Sequence, residues 1–396
     1  MSESAIATSV RAADQQDLVR WLARGETSDP EADGGAMNDA TLVLRQSRLG
    51  RYVSPAAAGW PIYAAVAAYA LGASALITAT DAERASAFAS YIVVWPIAFF
   101  GLFPAIYALL VLLRILHRLN PGQGRLRALR RAFAVRHLSQ FGTGLGLLGA
   151  MMVFQGAFTT IKTALPLWNG GFPYDVLHAN IDRALHFGTD PWRYLLAAAG
   201  DDVVRAGVEW NYNQGWFIFC YATLFVVCVS YATSGLRTRY LVCYMLVWII
   251  VGNILAGLFL SAGPAFYGHV TGDSARFGEQ LAFLAASGDS AHSATKVQTY
   301  LWHFYENETG GLGSGISAFP IMHIGLVTLN SLFISEASRR WGTAAFAYVG
   351  VVLVSSVYLA WHYAIDGYVA IAVTVAVYYA AKRAFAVRAS AAPLPR

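Results

Sequence analysis

From residue 57 onward, the chain alternates between long apolar runs and shorter polar segments, whereas its first 56 residues are mostly polar and acid-rich. A helix needs about 20 apolar residues to cross a bilayer, and only helices and closed barrels satisfy their backbone hydrogen bonds within lipid. The pattern therefore predicts an all-α integral membrane protein. We place eight membrane-spanning helices near 57–79, 89–115, 138–163, 211–233, 240–262, 320–336, 343–361 and 363–381.

Basic residues cluster in five of the segments between and beyond these runs. They lie at 45–51, 117–137, 235–239, 336–342 and 382–390. With eight spans, all five segments fall on one side of the membrane, which should be cytoplasmic because Lys and Arg collect there. The opposite side receives 80–88, 164–210, 263–319 and the turn at 361–363. The 164–210 loop has helical apolar spacing and many aromatics, so we expect one or two interfacial helices on the outer face.

Composition and loop lengths suggest how the chain is organised. We predict a disordered cytoplasmic tail over 1–56, two spans with a basic loop over 57–137, a membrane domain over 138–384 and a cytoplasmic tail over 385–396. Charged residues make up only 13% of the chain, against about 25% in soluble proteins, which excludes a soluble domain. The net charge of +5 follows from the cytoplasmic loops, so we expect no nucleic-acid partner.

Ionisable residues stand out against this apolar background at two span ends on the predicted outer side. In "SSVYLAWHYAIDG", His362 and Asp366 are four residues apart, which places them on one helical face. In "SAFPIMHIG", His323 follows a Gly- and Ser-rich loop. A carboxylate can accept the N–H of one imidazole nitrogen and leave the other nitrogen free as a base or nucleophile. The pair can equally be a helix cap and interfacial anchor, although ionisable groups in spans tend to mark function.

The same two stretches resemble known motifs. "SSVYLAWHYAID" resembles the third signature of the type 2 phosphatidic acid phosphatase superfamily, S-R-x-x-x-x-x-H-x-x-x-D, and "SAFPIMH" resembles the second, P-S-x-H. The upstream "IKTALPLWNGGFPYDVLHANIDRALHFGTDPW" is similar to a segment of the inositol phosphorylceramide synthase-like branch. This resemblance covers about residues 155 to 380 and implies a six-helix phosphatase-like core, in a bacterial inner membrane with its active site on the extracytoplasmic face.

The resemblance also implies a mechanism without metal or cofactor. His362 would be the nucleophile that becomes phosphohistidine, Asp366 would orient it, and His323 would serve as general acid and then general base. The donor would be a membrane phospholipid and the acceptor a lipid alcohol or water. No oligomeric state is implied.

The chain departs from the signatures at two positions. Ile321 replaces the serine of the second signature, and Ser356 replaces the arginine of the third. Substrate binding would then fall to other groups. We expect them to be Lys162, Gly315 and Ser317, with Ser356 and Tyr363 beside the nucleophile. Lys162 can instead snorkel to the interface.

Three further interpretations remain open at this stage. The enzyme can be a lipid phosphate phosphatase that hydrolyses phosphatidic acid-like or polyprenyl phosphates. His323, His362 and Asp366 can form a two-His, one-carboxylate metal site. The chain can also be a transporter in which the His–Asp pair relays protons.

Overall fold

The computed structural model describes residues 55–119, 124–132, 135–230, 233–286, 288 and 293–391. Most of the predicted N-terminal tail and the last five residues of the predicted C-terminal tail lie outside these ranges. The described residues form helices joined by short turns. The helices are α1 (Pro55–Ala79), α2 (Phe88–Pro96), α3 (Phe103–Arg118), α4 (Arg125–Ala132), α5 (Val135–Asn169), α6 (Asp175–Leu185), α7 (Pro191–Ala199), α8 (Asp202–Trp210), α9 (Trp216–Val229), α10 (Ser234–Ile249), α11 (Ala256–Leu258), α12 (Tyr267–Thr271), α13 (Gly278–Ala285), α14 (Ala294–Glu306), α15 (Met322–Ala337), α16 (Arg339–Tyr358) and α17 (Ala364–Ala391).

Three π-helical turns join consecutive helices into longer rods. They are Ile97–Leu102 between α2 and α3, Asn211–Gly215 between α8 and α9, and Ile250–Leu255 between α10 and α11. Within the described ranges, seven of these rods and single helices are long and apolar enough to cross a membrane. The fold is therefore that of an all-α integral membrane protein, as the sequence predicts.

The predicted sixth span differs from the other seven. It corresponds to α15, whose 16 residues extend about 24 Å at 1.5 Å per residue, short of a hydrocarbon core of about 30 Å. Between Met322 and Phe333 every side chain of α15 except that of His323 is buried. Helix α15 is apolar because it forms the centre of the bundle, packed against α16, α17, α10 and α9.

Helix α6 has a polar face that is turned inward. Asp175, His178 and Asp182 are buried, whereas Val176 and Leu185 on the other side are exposed. A helix of a soluble protein shows the opposite arrangement. An exposed apolar face suits the interfacial position that the sequence predicts for this segment.

The described chain divides into two compact units. In the smaller unit, which includes 107–138, the Arg125 guanidinium donates to the carbonyls of Leu119 (2.6 Å) and Leu116 (2.9 Å). These bonds satisfy acceptors at the C-terminal end of α3. The larger unit comprises 58–106 and 139–396 and contains all the residues discussed below.

Candidate active site

His362 lies in the turn between α16 and α17 with one ring nitrogen engaged. Its Nδ1 is 2.7 Å from the carbonyl oxygen of Ala318. A carbonyl can only accept a hydrogen bond, so Nδ1 carries the proton and Nε2 keeps its lone pair. Burial lowers the pKa of His362 to about 3. The hydrogen bond to Ala318 acts in the opposite direction, and the nearby Lys162 lowers the pKa further. The imidazole is therefore neutral, with Nε2 available as a nucleophile.

Asp366 lies one helical turn beyond His362, as the spacing predicts, but it is not the closest acceptor of the imidazole proton. Its Oδ2 is 3.5 Å from Nδ1 of His362 and accepts the backbone N–H of Tyr363 at 3.0 Å. Its Oδ1 has no hydrogen-bond partner among the described residues. The Ala318 carbonyl thus orients the ring, and the buried Asp366 side chain lies behind it.

His323, on the first turn of α15, faces the same cavity as His362. The two ring centroids are 6.1 Å apart. Nδ1 of His323 shares a hydrogen bond with the Tyr212 hydroxyl (3.0 Å), and the edge of the ring meets Trp216 at 4.2 Å between centroids. The fold thus brings together two histidines that are 39 positions apart in the sequence.

Both histidines line a cavity of about 370 Å³. Lys162 of α5 and the loop over 312–318 line it as well, including Gly315 and Ser317. Of the described residues in the lining, Lys162 is the only lysine or arginine, and none is a carboxylate. The polar part of the cavity therefore offers one fixed positive charge, two imidazoles and hydroxyl and backbone groups.

Gly315 allows the loop to lie directly against α5 beside Lys162. Its φ is +90°, and a Cβ there would be 2.9 Å from the carbonyl carbon of Lys162 and from the nitrogen of Thr163. Next to it, the hydroxyls of Ser314 and Thr163 are hydrogen-bonded at 2.8 Å. The absence of a side chain at Gly315 thus fixes the distance between the loop and the lysine.

Ser356 and Tyr363, which we expected beside the substrate, are not among the cavity-lining residues. Ser356 is fully buried, and its hydroxyl donates to the Leu353 carbonyl at 2.7 Å. The Tyr363 hydroxyl donates to Asp175 at 2.8 Å. Both side chains point into the protein, where their hydroxyls already have acceptors.

Two carboxylates of α6 support the loops around His362, and sequence reasoning did not single them out. Asp175 accepts the backbone N–H groups of Ala262 (2.7 Å) and Gly263 (2.9 Å). Asp182 accepts those of Ala364 and Ile365, both at 3.1 Å, at the N-terminal end of α17.

Burial raises the pKa of both groups, to about 6 for Asp175, while the hydrogen bonds they accept act in the opposite direction. The signal in the sequence is the spacing of Asp175, His178 and Asp182, which puts three polar side chains on one face of a helix with apolar residues around it.

The described residues contain no group of three or more His, Cys, Asp and Glu side chains arranged to hold a metal ion. Asp366, the predicted third ligand of a metal site, lies behind His362 rather than in the cavity lining.

A family model described as the PAP2 superfamily matches residues 178–380, about half of the chain. The matched region includes both histidines and Asp366 but begins after Lys162. No curated protein and no solved structure matches the chain significantly.

Proposed function

The chain belongs to the PAP2 superfamily, and from this membership and the cavity we propose that it transfers a phosphoryl headgroup from a phospholipid to a lipid alcohol. Membership gives the general class, an enzyme of the phosphatase and phosphotransferase type that acts on lipid phosphates. The more specific reaction proposed here is supported by the charge and geometry of the cavity.

The first step forms a covalent intermediate on His362. Its Nε2 attacks phosphorus, a P–N bond forms, and the bond from phosphorus to the lipid alkoxide breaks. His323, protonated in the presence of the substrate's negative charge, gives its proton to the departing alkoxide. Asp366, 3.5 Å from Nδ1, stabilises the positive charge that the His362 ring acquires.

The second step transfers the headgroup and restores the enzyme. The acceptor hydroxyl gives its proton to the now neutral His323, and its oxygen attacks the phosphohistidine phosphorus. The P–N bond breaks, and its electron pair returns to Nε2 of His362. The Ala318 carbonyl holds Nδ1–H throughout, so the same nitrogen is available for the next turnover.

The diester choice depends on one observation: among the described residues that line the cavity, Lys162 is the single cation. A phosphate monoester carries about −1.5 to −2 charges at pH 7, and desolvating it favours a bidentate arginine. A diester carries one negative charge, which Lys162 can balance together with loop N–H groups. A glycerophospholipid with a polar headgroup fits this site better than phosphatidic acid does.

The synthase-like branch and the cellular setting belong to the same proposal. We place the site on the extracytoplasmic face of a bacterial inner membrane, supported by the basic segments, which all fall on the other side when α15 is counted as the sixth of eight crossings. Cysteines introduced near residues 125 and 290 should then be labelled from opposite sides of the membrane.

The test supplies purified protein with phosphatidic acid and, separately, with phosphatidylinositol plus ceramide or diacylglycerol. We expect headgroup transfer from the diester and a trapped phosphohistidine at His362 that His362→Ala lacks. His303→Ala is the matched control, because His303 lies on α14 outside the cavity lining. Rapid phosphate release from phosphatidic acid, with no transfer from any diester, would instead make the protein a lipid phosphatase.

A further inference from the structure

Beyond the two histidines, the cavity continues along a row of aromatic rings. Trp216 meets His323 at 4.2 Å between centroids, and Tyr221 lies 6.3 Å from Trp216. Trp95 then meets Tyr221 edge-on at 5.5 Å and stacks on Phe99 at 4.2 Å. These four aromatic residues all line the cavity, and we call them the aromatic wall. The wall connects the reactive end of the cavity with α2.

Beside this wall, the cavity is lined by side chains that are partly exposed at the protein surface. Val94 of α2 and Phe217 of α9 both line the cavity, yet they are 42% and 39% exposed. Each belongs to a segment long and apolar enough to cross a membrane. The cavity therefore has partly exposed lining between two segments that can cross a membrane, in addition to the exposed Tyr300 and Leu312 on its loop side.

All three π-helical turns contribute residues to the lining of the cavity. The π turn Ile97–Leu102 contributes Ala98 and Phe99, and the other two π turns contribute Tyr212, Asn213 and Gly252. Single π-helical turns inside α-helices are frequent at functional sites. Helix α2 therefore forms part of the cavity wall, in addition to exposing apolar residues at the surface.

The aromatic wall also contains a hydrogen-bond donor that has no acceptor among the described residues. The indole N–H of Trp95 is buried and has no acceptor among the described residues. A buried donor without a partner is costly. An ester, amide or hydroxyl oxygen at the head of a lipid chain could satisfy it.

We propose that this arm of the cavity holds a hydrocarbon chain of the lipid substrate, which enters sideways from the bilayer between α2 and α9. The arm is the part of the cavity along the aromatic wall; it begins beside His323 and extends to partly exposed residues of α2 and α9, two helices in segments that can cross a membrane. The inference rests on the proposed function for the identity of the substrate headgroup. Because α2 lies outside the residues matched by the family model, chain selection is a property of this chain's own N-terminal helices.

The test compares two substitutions of α2. Ala98→Trp places a large side chain in the cavity lining, whereas Val93→Trp adds one at a position that is 68% exposed and does not line the cavity. The measurement is kcat/KM for a long-chain (dioleoyl) and a short-chain (dibutyryl) donor in mixed micelles. We expect Ala98→Trp to reduce the preference for the long chain by about tenfold or more, and Val93→Trp to retain it. Equal preferences in both variants would overturn the proposal.

Varying donor and acceptor chains separately identifies the occupant. A changed KM for the donor alone assigns the arm to the donor chain, and a changed KM for the acceptor alone assigns it to the acceptor. Both results support a hydrocarbon chain in the arm. An unchanged KM for both, in a folded Ala98→Trp protein, contradicts it.

A second measurement does not depend on turnover. A phospholipid with a photoactivatable diazirine in its acyl chain is added to His362→Ala protein, and crosslinked peptides are mapped. Labelling at 94–99 that Ala98→Trp removes and Val93→Trp retains would support the arm even if no headgroup transfer were found and the proposed reaction failed. Efficient transfer by the wild-type protein without any labelling of α2 would overturn the arm and leave the reaction standing.

Discussion

The contact between Gly315 and α5 makes a sharp prediction, because a second glycine in the same loop serves as its control. Gly313 also has a positive φ, +68°, but a Cβ there would meet nothing within 4 Å. Gly313→Ala therefore adds only the backbone strain of a left-handed residue, about 1–2 kcal/mol. Gly315→Ala adds similar strain plus a methyl group 2.9 Å from α5 backbone atoms and 3.0 Å from Cγ of Lys162. Such overpacking costs about 1–3 kcal/mol more.

Relief of this clash moves the loop away from α5 or displaces the lysine side chain. A misplacement of about 1 Å can lower a rate about 100-fold. We expect Gly315→Ala to lower kcat/KM by about that factor, well beyond the effect of Gly313→Ala, while both variants unfold at lower temperature than wild type. The assays are headgroup transfer in detergent micelles and thermal unfolding of the same preparations. Equal kcat/KM in the two variants would show that the loop does not position Lys162.

Three further predictions test the histidines and their supports. His362→Ala should abolish turnover and His323→Ala should slow it by about 10²–10⁴-fold, measured by transfer assays; near wild-type activity in His362→Ala would remove the mechanism. Asp182→Ala should destabilise the protein by about 1–3 kcal/mol and lower kcat, whereas Asp182→Asn, which keeps an acceptor oxygen, should retain more of both; equal losses would contradict the capping role. The folded-state pKa of His362 lies near 3, below the ordinary value of 6.5. Its contribution to stability is therefore complete above about pH 6.5 and is lost as pH falls toward 3. His362→Gln should show a smaller fall in unfolding temperature between pH 7 and pH 5, and a wild-type pH dependence in that variant would refute the assignment.

The sequence indicates which residues share the cavity because their chemistry is unusual in its surroundings. His323, His362, Lys162, Gly315 and Ser317 are polar or conformationally special residues in an apolar chain, and the fold brings all five to one cavity.

The features that were missed have no distinctive signal in one sequence. The Ala318 carbonyl that orients His362 is a backbone group, which any residue type supplies. Helix α2 is apolar whether it faces lipid or a cavity, so Trp95 and Phe99 read as ordinary membrane residues. The apolar composition of α15 does not reveal its place at the centre of the bundle, because burial in protein and burial in lipid select the same side chains. Ser356 and Tyr363 adjoin the motif, but adjacency along a helix does not determine which side chain reaches the substrate.

The two carboxylates of α6 have a consequence for biosynthesis. The partners of Asp182 are the backbone N–H groups of Ala364 and Ile365, and 182 residues separate Asp182 from Ala364. At about 5–20 residues per second, a ribosome needs roughly 10 to 40 s to make that stretch of chain. During this interval the N-terminal end of α17 does not yet exist, so the Asp182 carboxylate cannot accept the N–H groups of Ala364 and Ile365 and needs water or other donors instead. The turn that carries His362 can therefore gain these two hydrogen bonds only after the start of α17 has been made, so a nascent chain that stalls before α17 lacks this support of the candidate site.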